Sequence, residues 1–284
     1  MKFLVLGAGG MAGHTIAIYL KEKGHDVSGL ALDNLSFCKT IVGDARDNDL
    51  LRNTLINGRY DAVINCIGIL NQFADQNVGL AIYLNSYLPH LLAEITLNTS
   101  TQIIQMSTDC VFSGKKGNYT ETDQPDGVTI YDRTKALGEI NDNKNITFRN
   151  SIIGPDINVN GIGLLNWFMK ENGPVKGFRS AIWTGLTTLQ LAMAMEQAAS
   201  EKANGLYNLV YTEPITKYEL LLLLNKYLRN NKIAITPYDG TCVNKSLKRT
   251  NFNFNYLIPD YDKMVYEMAG WVKKHGYLYP HYNI

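Results

Sequence analysis

A phenol and an ammonium group, Tyr131 and Lys135, stand four residues apart, and Tyr131 follows the triplet Ser107-Thr108-Asp109 by 22 to 24 residues. The i, i+4 spacing puts both side chains on one face of a helix. A neutral tyrosine is a weak acid near pH 7, because its unperturbed pKa is about 10. A nearby ammonium favours the phenolate and is expected to lower that value. A phenol tuned in this way can give a proton to a carbonyl oxygen or take one from an alcohol. A hydroxyl from the triplet, at the end of the apolar run Gln102–Met106, can polarise the same oxygen.

The partner chemistry lies 124 residues upstream of Tyr131. Gly7-Ala8-Gly9-Gly10-Met11-Ala12-Gly13 follows the apolar run Phe3–Leu6 directly. Gly7 allows a tight turn, Gly10 lets backbone amides approach a pyrophosphate, and Gly13 lets the next helix pack on the strand. Gly9 and Met11 belong to the same turn. Together the two segments point to hydride transfer with a nicotinamide dinucleotide. An acidic residue at the end of the second strand would bind the ribose hydroxyls, but that position falls on Ala31. Asp33 comes two residues late and Lys39 is the nearest downstream cation, so NADP(H) is favoured over NAD(H). Asp44, with Ala45 after it, follows the third strand, where a carboxylate can accept from an adenine amino group.

These groups need a scaffold with its strand ends on one edge. Apolar runs at Phe3–Leu6, Val27–Leu32, Thr40–Val42, Asp61–Ile67, Gln102–Met106 and Ile146–Phe148 alternate with helix-like stretches. One helix is expected from Gly10 to about Lys23 and a long one from Asn77 to Leu97. The rhythm predicts an α/β fold, a Rossmann-type doubly wound parallel sheet with a smaller C-terminal substrate lobe. Residues 1–154 would bind the dinucleotide, with 185–210 returning to that sheet, and 155–184 with 211–284 would form the substrate lobe. Thr187 or Thr188 caps a helix to Ser200, and Thr216 with Glu219 makes a capping box for a Leu-rich helix to about Arg229. The Tyr-rich tail reads as a half-buried amphipathic surface.

Composition narrows the class. The chain has 284 residues with 27 basic and 26 acidic side chains, formal net charge +1, which gives no global field for nucleic acid or an anionic membrane. No apolar stretch has the length of a membrane span, and the run after Lys2 stops at glycines too soon for a signal core. The cysteines Cys38, Cys66, Cys110 and Cys242 and the five histidines show no metal-ligand spacing. The expectation is a cytoplasmic protein with reduced thiols and no metal.

The motifs resemble the extended short-chain dehydrogenase/reductases, and within them the dTDP-4-dehydrorhamnose reductase (RmlD-like) sugar-nucleotide reductases. The resemblance is carried by Gly7–Gly13, by Ser107-Thr108-Asp109-Cys110-Val111-Phe112-Ser113-Gly114, by Glu121-Thr122-Asp123 with Pro125, by Tyr131-x-x-Thr134-Lys135 with Gly138-Glu139, and by Arg149-Asn150-Ser151. It implies Thr108 as the catalytic hydroxyl, Tyr131 as proton donor, Lys135 as its tuner and Asn85 in a supporting role. It implies that Asn65, Cys66, Ile67 and Gly68 form a loop under the cofactor, with Ser107 and Ile152 also beside it. Asp109, Arg149 and Trp183 would meet the sugar nucleotide. Asp132 stands where the family often has glycine. The segment Asn244–Arg249 replaces the family's Arg-Pro-x-x-Ser-x-Leu pattern, leaving Lys245, Lys248 or Arg249 for a diphosphate.

The expectation is an NAD(P)H-dependent reductase of a 4-keto sugar on a nucleoside diphosphate, in nucleotide-sugar or surface-polysaccharide synthesis. Two rivals share the scaffold: an epimerase or dehydratase that retains its NAD, and a non-catalytic regulatory subunit. Homodimerisation stays open.

Overall fold

The computed structural model describes residues 1–240 and 242–282; residue 241 and the expected lobe's last two residues, 283 and 284, lie outside the described residues. The first half runs β1 (Lys2–Leu6), α1 (Met11–Glu22), β2 (Asp26–Ala31), β3 (Lys39–Val42), α2 (Asn48–Gly58), β4 (Ala62–Asn65), α3 (Asn71–Gln76), α4 (Val78–Ala81), α5 (Leu88–Ile95), β5 (Gln102–Met106), α6 (Ile130–Leu137) and β6 (Ile146–Arg149). There follow β7 (Ser151–Ile153), α7 (Leu164–Lys170), β8 (Val175–Phe178), β9 (Ala181–Trp183), β10 (Gly185–Thr187), α8 (Thr188–Glu201), β11 (Gly205–Asn208), β12 (Ile215–Thr216), α9 (Lys217–Leu228), β13 (Ile235–Tyr238), β14 (Val243–Asn244) and α10 (Tyr261–Lys274).

Seven strands form one parallel sheet in the order β11-β6-β5-β4-β1-β2-β3. Alternation along β1 explains why its run is apolar throughout. Phe3 and Val5 join the cluster made with Ile16 and Leu20 of α1 and Met195 of α8. Leu4 and Leu6 face the other way, onto Leu51 and Leu55 of α2 and Leu92 of α5. Each such fully buried side chain contributes roughly 1.5–3 kcal/mol. The strand order reverses beside β1, so β2 and β4 part on either side of it. That opens a crevice at the carboxyl ends of β1 and β4. Three small sheets, β10 with β7, β12 and β14 on β9, and β13 with β8, stand apart from the main one. Among the described residues no helix is long and apolar enough to cross a membrane.

The long helix expected over Asn77–Leu97 is interrupted. Asn77 caps α4 through its side chain, which accepts from the Leu80 N–H. A π-helical turn, Ile82–Tyr87, then joins α4 to α5. Pro89 has no N–H to offer the carbonyl of Asn85 four residues back, and the ladder widens there. A Cβ on Gly138 would overlap that same carbonyl, so the end of α6 packs directly on it. Helix α3 was not legible in the sequence. Neither was α10, whose buried Tyr261, Met264, Val265, Met268 and Val272 follow a 3–4 spacing hidden among tyrosines and lysines. The tail is half-buried, as its tyrosines show: Tyr261, Tyr279 and Tyr282 are buried, while Tyr266 and Tyr277 are exposed.

Candidate active site

The turn from β1 into α1 is built by two glycines. Gly7 has φ +73°, a left-handed conformation that a side chain would strain. A Cβ on Gly13 would overlap the Gly7 carbonyl, so α1 lies backbone to backbone on the turn. Gly10 caps α1 without any side-chain hydrogen bond. By contrast, the side chains of Asp47, Thr129, Thr187, Thr216 and Asp260 cap their helices. The first amides of α1 are thus left for an anion at the positive end of the helix. They face a cleft of about 420 Å³.

This cleft gathers most of the expected residues. Its lining includes Gly10, Met11, Cys66, Ile67, Gly68, Ser107, Thr108, Asp109, Tyr131, Lys135 and Ile152. Gly7, Gly9 and Gly13 shape the turn behind it. Asp44 and Ala45 lie outside it: Asp44 holds Arg46 through two bonds of 3.0 Å, and Ala45 is buried against the α2 side of the sheet.

Tyr131 is the second residue of α6, and its position is set by a capping box. Thr129 Oγ1 accepts from the Asp132 N–H at 3.1 Å, and Asp132 Oδ2 accepts from the Thr129 N–H at 3.2 Å. Asp132 therefore fixes the start of a short helix. The ring is buried against Ala74 of α3 and Ala81 of α4. Burial raises the Tyr131 pKa, with Cys110, Asp109 and Asp132 adding to the rise and the Thr108 hydroxyl opposing it. The lowering expected from Lys135 is a misreading. Lys135 Nζ instead donates to the Met106 carbonyl at 2.6 Å. Burial also brings the Lys135 pKa down to about 8, against the pull of Glu139 and Cys66. Thr108 Oγ1 donates to Asp109 Oδ1 at 3.1 Å and accepts from the Cys110 N–H at 3.1 Å. Burial pushes the Asp109 carboxyl up, opposed by Thr108, Lys245 and Lys217.

Asn85 sits in the π-helical turn with no exposed surface. Its Oδ1 accepts from the Ile69 N–H at 2.9 Å, and its Nδ2 donates to the Ile69 carbonyl at 3.0 Å and to Thr134 Oγ1 at 3.1 Å. It ties the loop after β4 to α6, and so holds Gly68 and Lys135 in one frame. Beyond the family likeness, no spacing or pattern in the sequence signals this role.

Beneath Thr108 lies a buried ionic group. Ser107 Oγ donates to Glu139 Oε1 at 2.6 Å, and Arg149 Nε and Nη2 donate to Glu139 at 2.7 and 2.6 Å. Arg149 also lies over the Phe112 ring at 5.1 Å. Its guanidinium is therefore part of the scaffold and not, as expected, a substrate contact. Arg249 is likewise corrected: it donates to the carbonyls of Asn251, Phe254 and Tyr256 and braces its own loop.

A second cavity of about 250 Å³ shares Asp109, Cys110, Ser151 and Ile152 with the cleft. Trp183 and Lys245, both expected to meet the sugar nucleotide, line it, and Lys217, at the start of α9, joins them unforeseen. Lys217 was readable only as the residue after a helix cap. Lys248 is exposed and lines neither cavity.

The family model described as RmlD substrate binding domain matches residues 1–253. A dTDP-4-dehydrorhamnose reductase of Streptomyces griseus is 31% identical over 140 residues, 49% of this chain and 43% of that protein. One from Mycolicibacterium smegmatis is 35% identical over 141 residues, 49% of this chain and 40% of that protein. These matches span less than half the length of the curated relatives. A Bacillus anthracis dTDP-4-dehydrorhamnose reductase solved in complex with NADP shares the fold, with TM-score 0.79, 18% identity, and 94% of this chain and 98% of that one covered.

Proposed function

The chain belongs to the RmlD substrate binding domain family, and from that membership we propose that it is a nicotinamide-dependent reductase of a 4-keto sugar carried on a nucleoside diphosphate. The carrying observation is that Tyr131, Thr108, Lys135 and the uncapped glycine turn line one cleft. The turn suits a pyrophosphate, and the loop Cys66–Gly68 with Lys135 suits the ribose and nicotinamide end. A reduced nicotinamide, when bound, supplies a hydride to a keto carbon. Tyr131, held protonated by burial, gives its proton to the keto oxygen as charge develops there. Thr108 turns its hydroxyl from Asp109 to the same oxygen. Lys135, with its pKa at about 8, still carries its charge at pH 7. Ala31 ends β2 without a carboxylate, which supports NADPH over NADH. In this reading residues 1–154 with 185–210 hold the cofactor, and 155–184 with 211–284 hold the sugar nucleotide.

The purified protein is to be screened with NADPH and NADH against nucleotide-linked 4-keto sugars. Stoichiometric oxidation of NADPH is the expected result. Turnover without net oxidation would replace the reductase by an epimerase or dehydratase, and no turnover with any sugar would favour a regulatory subunit. The two ammonium groups of Lys217 and Lys245 beside the second cavity support a diphosphate site there. Changing both to glutamine is expected to raise the KM for the sugar nucleotide about tenfold, with kcat and NADPH affinity little changed. An unchanged KM would move the diphosphate elsewhere.

A further inference from the structure

Residues 276–282 lie beyond the stretch matched by the family model, yet they touch both walls of the cleft. After α10 the chain makes two 3-10 turns, Gly276–Leu278 and Pro280–Tyr282, and buries Tyr279 and Tyr282. Tyr279 meets the glycine-turn wall. Its hydroxyl is 2.8 Å from His14 Nε2, and His14 Nδ1 is 2.9 Å from the Gly10 carbonyl oxygen. A carbonyl only accepts, so Nδ1 carries the ring proton and Nε2 accepts from Tyr279. Trp271 Nε1 donates to the same tyrosyl oxygen at 3.3 Å. The hydrogen bonds thus run one way, from Trp271 through Tyr279 and His14 to Gly10, the middle glycine of the turn. Burial, with His275 adding to it, holds the His14 pKa near 4, so the ring stays neutral.

Tyr282 meets the opposite wall. The Asp156 N–H donates to its hydroxyl at 2.8 Å, and Asp156, Ile162 and Gly163 line the cleft. His281 Nε2 donates to Asn166 Oδ1 at 3.1 Å, while the Asn166 amide donates to the carbonyls of Asn158, Val159 and Gly161. Across the cleft this loop reaches α1: a Cβ on Gly163 would lie 3.1 Å from Met11 Sδ. The rings of Tyr279 and Tyr282 stack with centroids 5.6 Å apart. The two wall contacts therefore belong to one packed unit.

We propose that residues 276–282 are a strap that sets the separation of the cleft's two walls, with Tyr279 and Tyr282 as positioning residues for the dinucleotide. The inference rests on the nicotinamide reading above. Removing the Tyr282 hydroxyl leaves the Asp156 N–H unpaired, and removing that of Tyr279 leaves His14 Nε2 only the Thr15 hydroxyl at 3.5 Å, which frees each wall to shift.

The test compares Tyr279→Phe and Tyr282→Phe with Tyr207→Phe. Tyr207 is also buried and donates to the Asn204 carbonyl at 3.0 Å, but it lies on β11 at the sheet's edge. Tyr282→Phe and Tyr207→Phe each lose one tyrosyl hydrogen bond and Tyr279→Phe loses two, so all three are expected to melt below the parent. In NADPH fluorescence titrations the two strap variants are expected to bind about three- to tenfold more weakly, and Tyr207→Phe within about twofold of the parent. Strap variants that bind as tightly as Tyr207→Phe would overturn the strap alone. A parent that binds neither NADPH nor NADH would remove the cofactor reading, and the strap with it. Hydrogen exchange on the parent gives a measure that needs no variant. On NADPH addition, amides of 10–12, 156–163 and 276–282 are expected to gain protection together. Protection confined to 10–12 would count against the strap.

Discussion

Tyr131→Phe is expected to lower kcat on the true sugar nucleotide by about 10²–10⁴, with NADPH affinity near that of the parent. The ring packs against Ala74 and Ala81, so phenylalanine fills the same space. What goes is a proton donor that burial keeps protonated through the neutral range. Without it, hydride addition would leave an alkoxide facing only the Thr108 hydroxyl. Thr108→Val is expected to cost less, because it removes one hydrogen bond and leaves the acid in place. Lys135→Met should behave differently from both. Its ammonium is buried and donates to the Met106 carbonyl, so its loss leaves that carbonyl only Gln105 as donor and loosens the end of β5 beside the proposed ribose site. Turnover and NADPH affinity are then expected to fall together. Single-turnover rates and fluorescence titrations separate the three patterns. Parental turnover by Tyr131→Phe on the true substrate would exclude Tyr131 as the acid.

Legibility in the sequence followed range. The sheet was readable because its central strands β1 and β4 are almost wholly apolar and buried, in alternation with helix-like stretches. The glycine turn was readable because Gly7 and Gly13 answer to backbone geometry within seven residues. Tyr131 and Lys135 were readable because they share a helix. Cation roles were not. Arg149 looked free as a sequence position, and nothing local says that Glu139, ten residues away, folds onto it at 2.6 Å. The pKa of Tyr131 was misread for the same reason. An i+4 neighbour suggests a Coulombic effect, whereas burial by α3 and α4 is a tertiary one and is larger. Tail residues Tyr279 and Tyr282 gave no signal, because their partners His14 and Asp156 are 265 and 126 positions away.

Arg149→Met is expected to destabilise the fold by about 3–5 kcal/mol, because it leaves the Glu139 carboxylate buried without its cation. For a chain of this size that lowers Tm by on the order of 10 °C. Ser107 would still donate to Glu139 at 2.6 Å, and one hydroxyl does not replace a bidentate guanidinium. The double variant Arg149→Met with Glu139→Gln should recover much of the loss. It removes the stranded charge, keeps an acceptor for Ser107 and places an apolar chain over Phe112. Activity should follow the fold, since Ser107 precedes Thr108 and the pair under it sets where that hydroxyl stands. A substrate contact would behave in the opposite way. Arg149→Met would then keep the parental Tm and raise the KM for the sugar nucleotide, and Glu139→Gln would rescue nothing. Thermal melts of the two single variants and the double variant decide between these, because only a buried structural pair makes the two substitutions strongly non-additive.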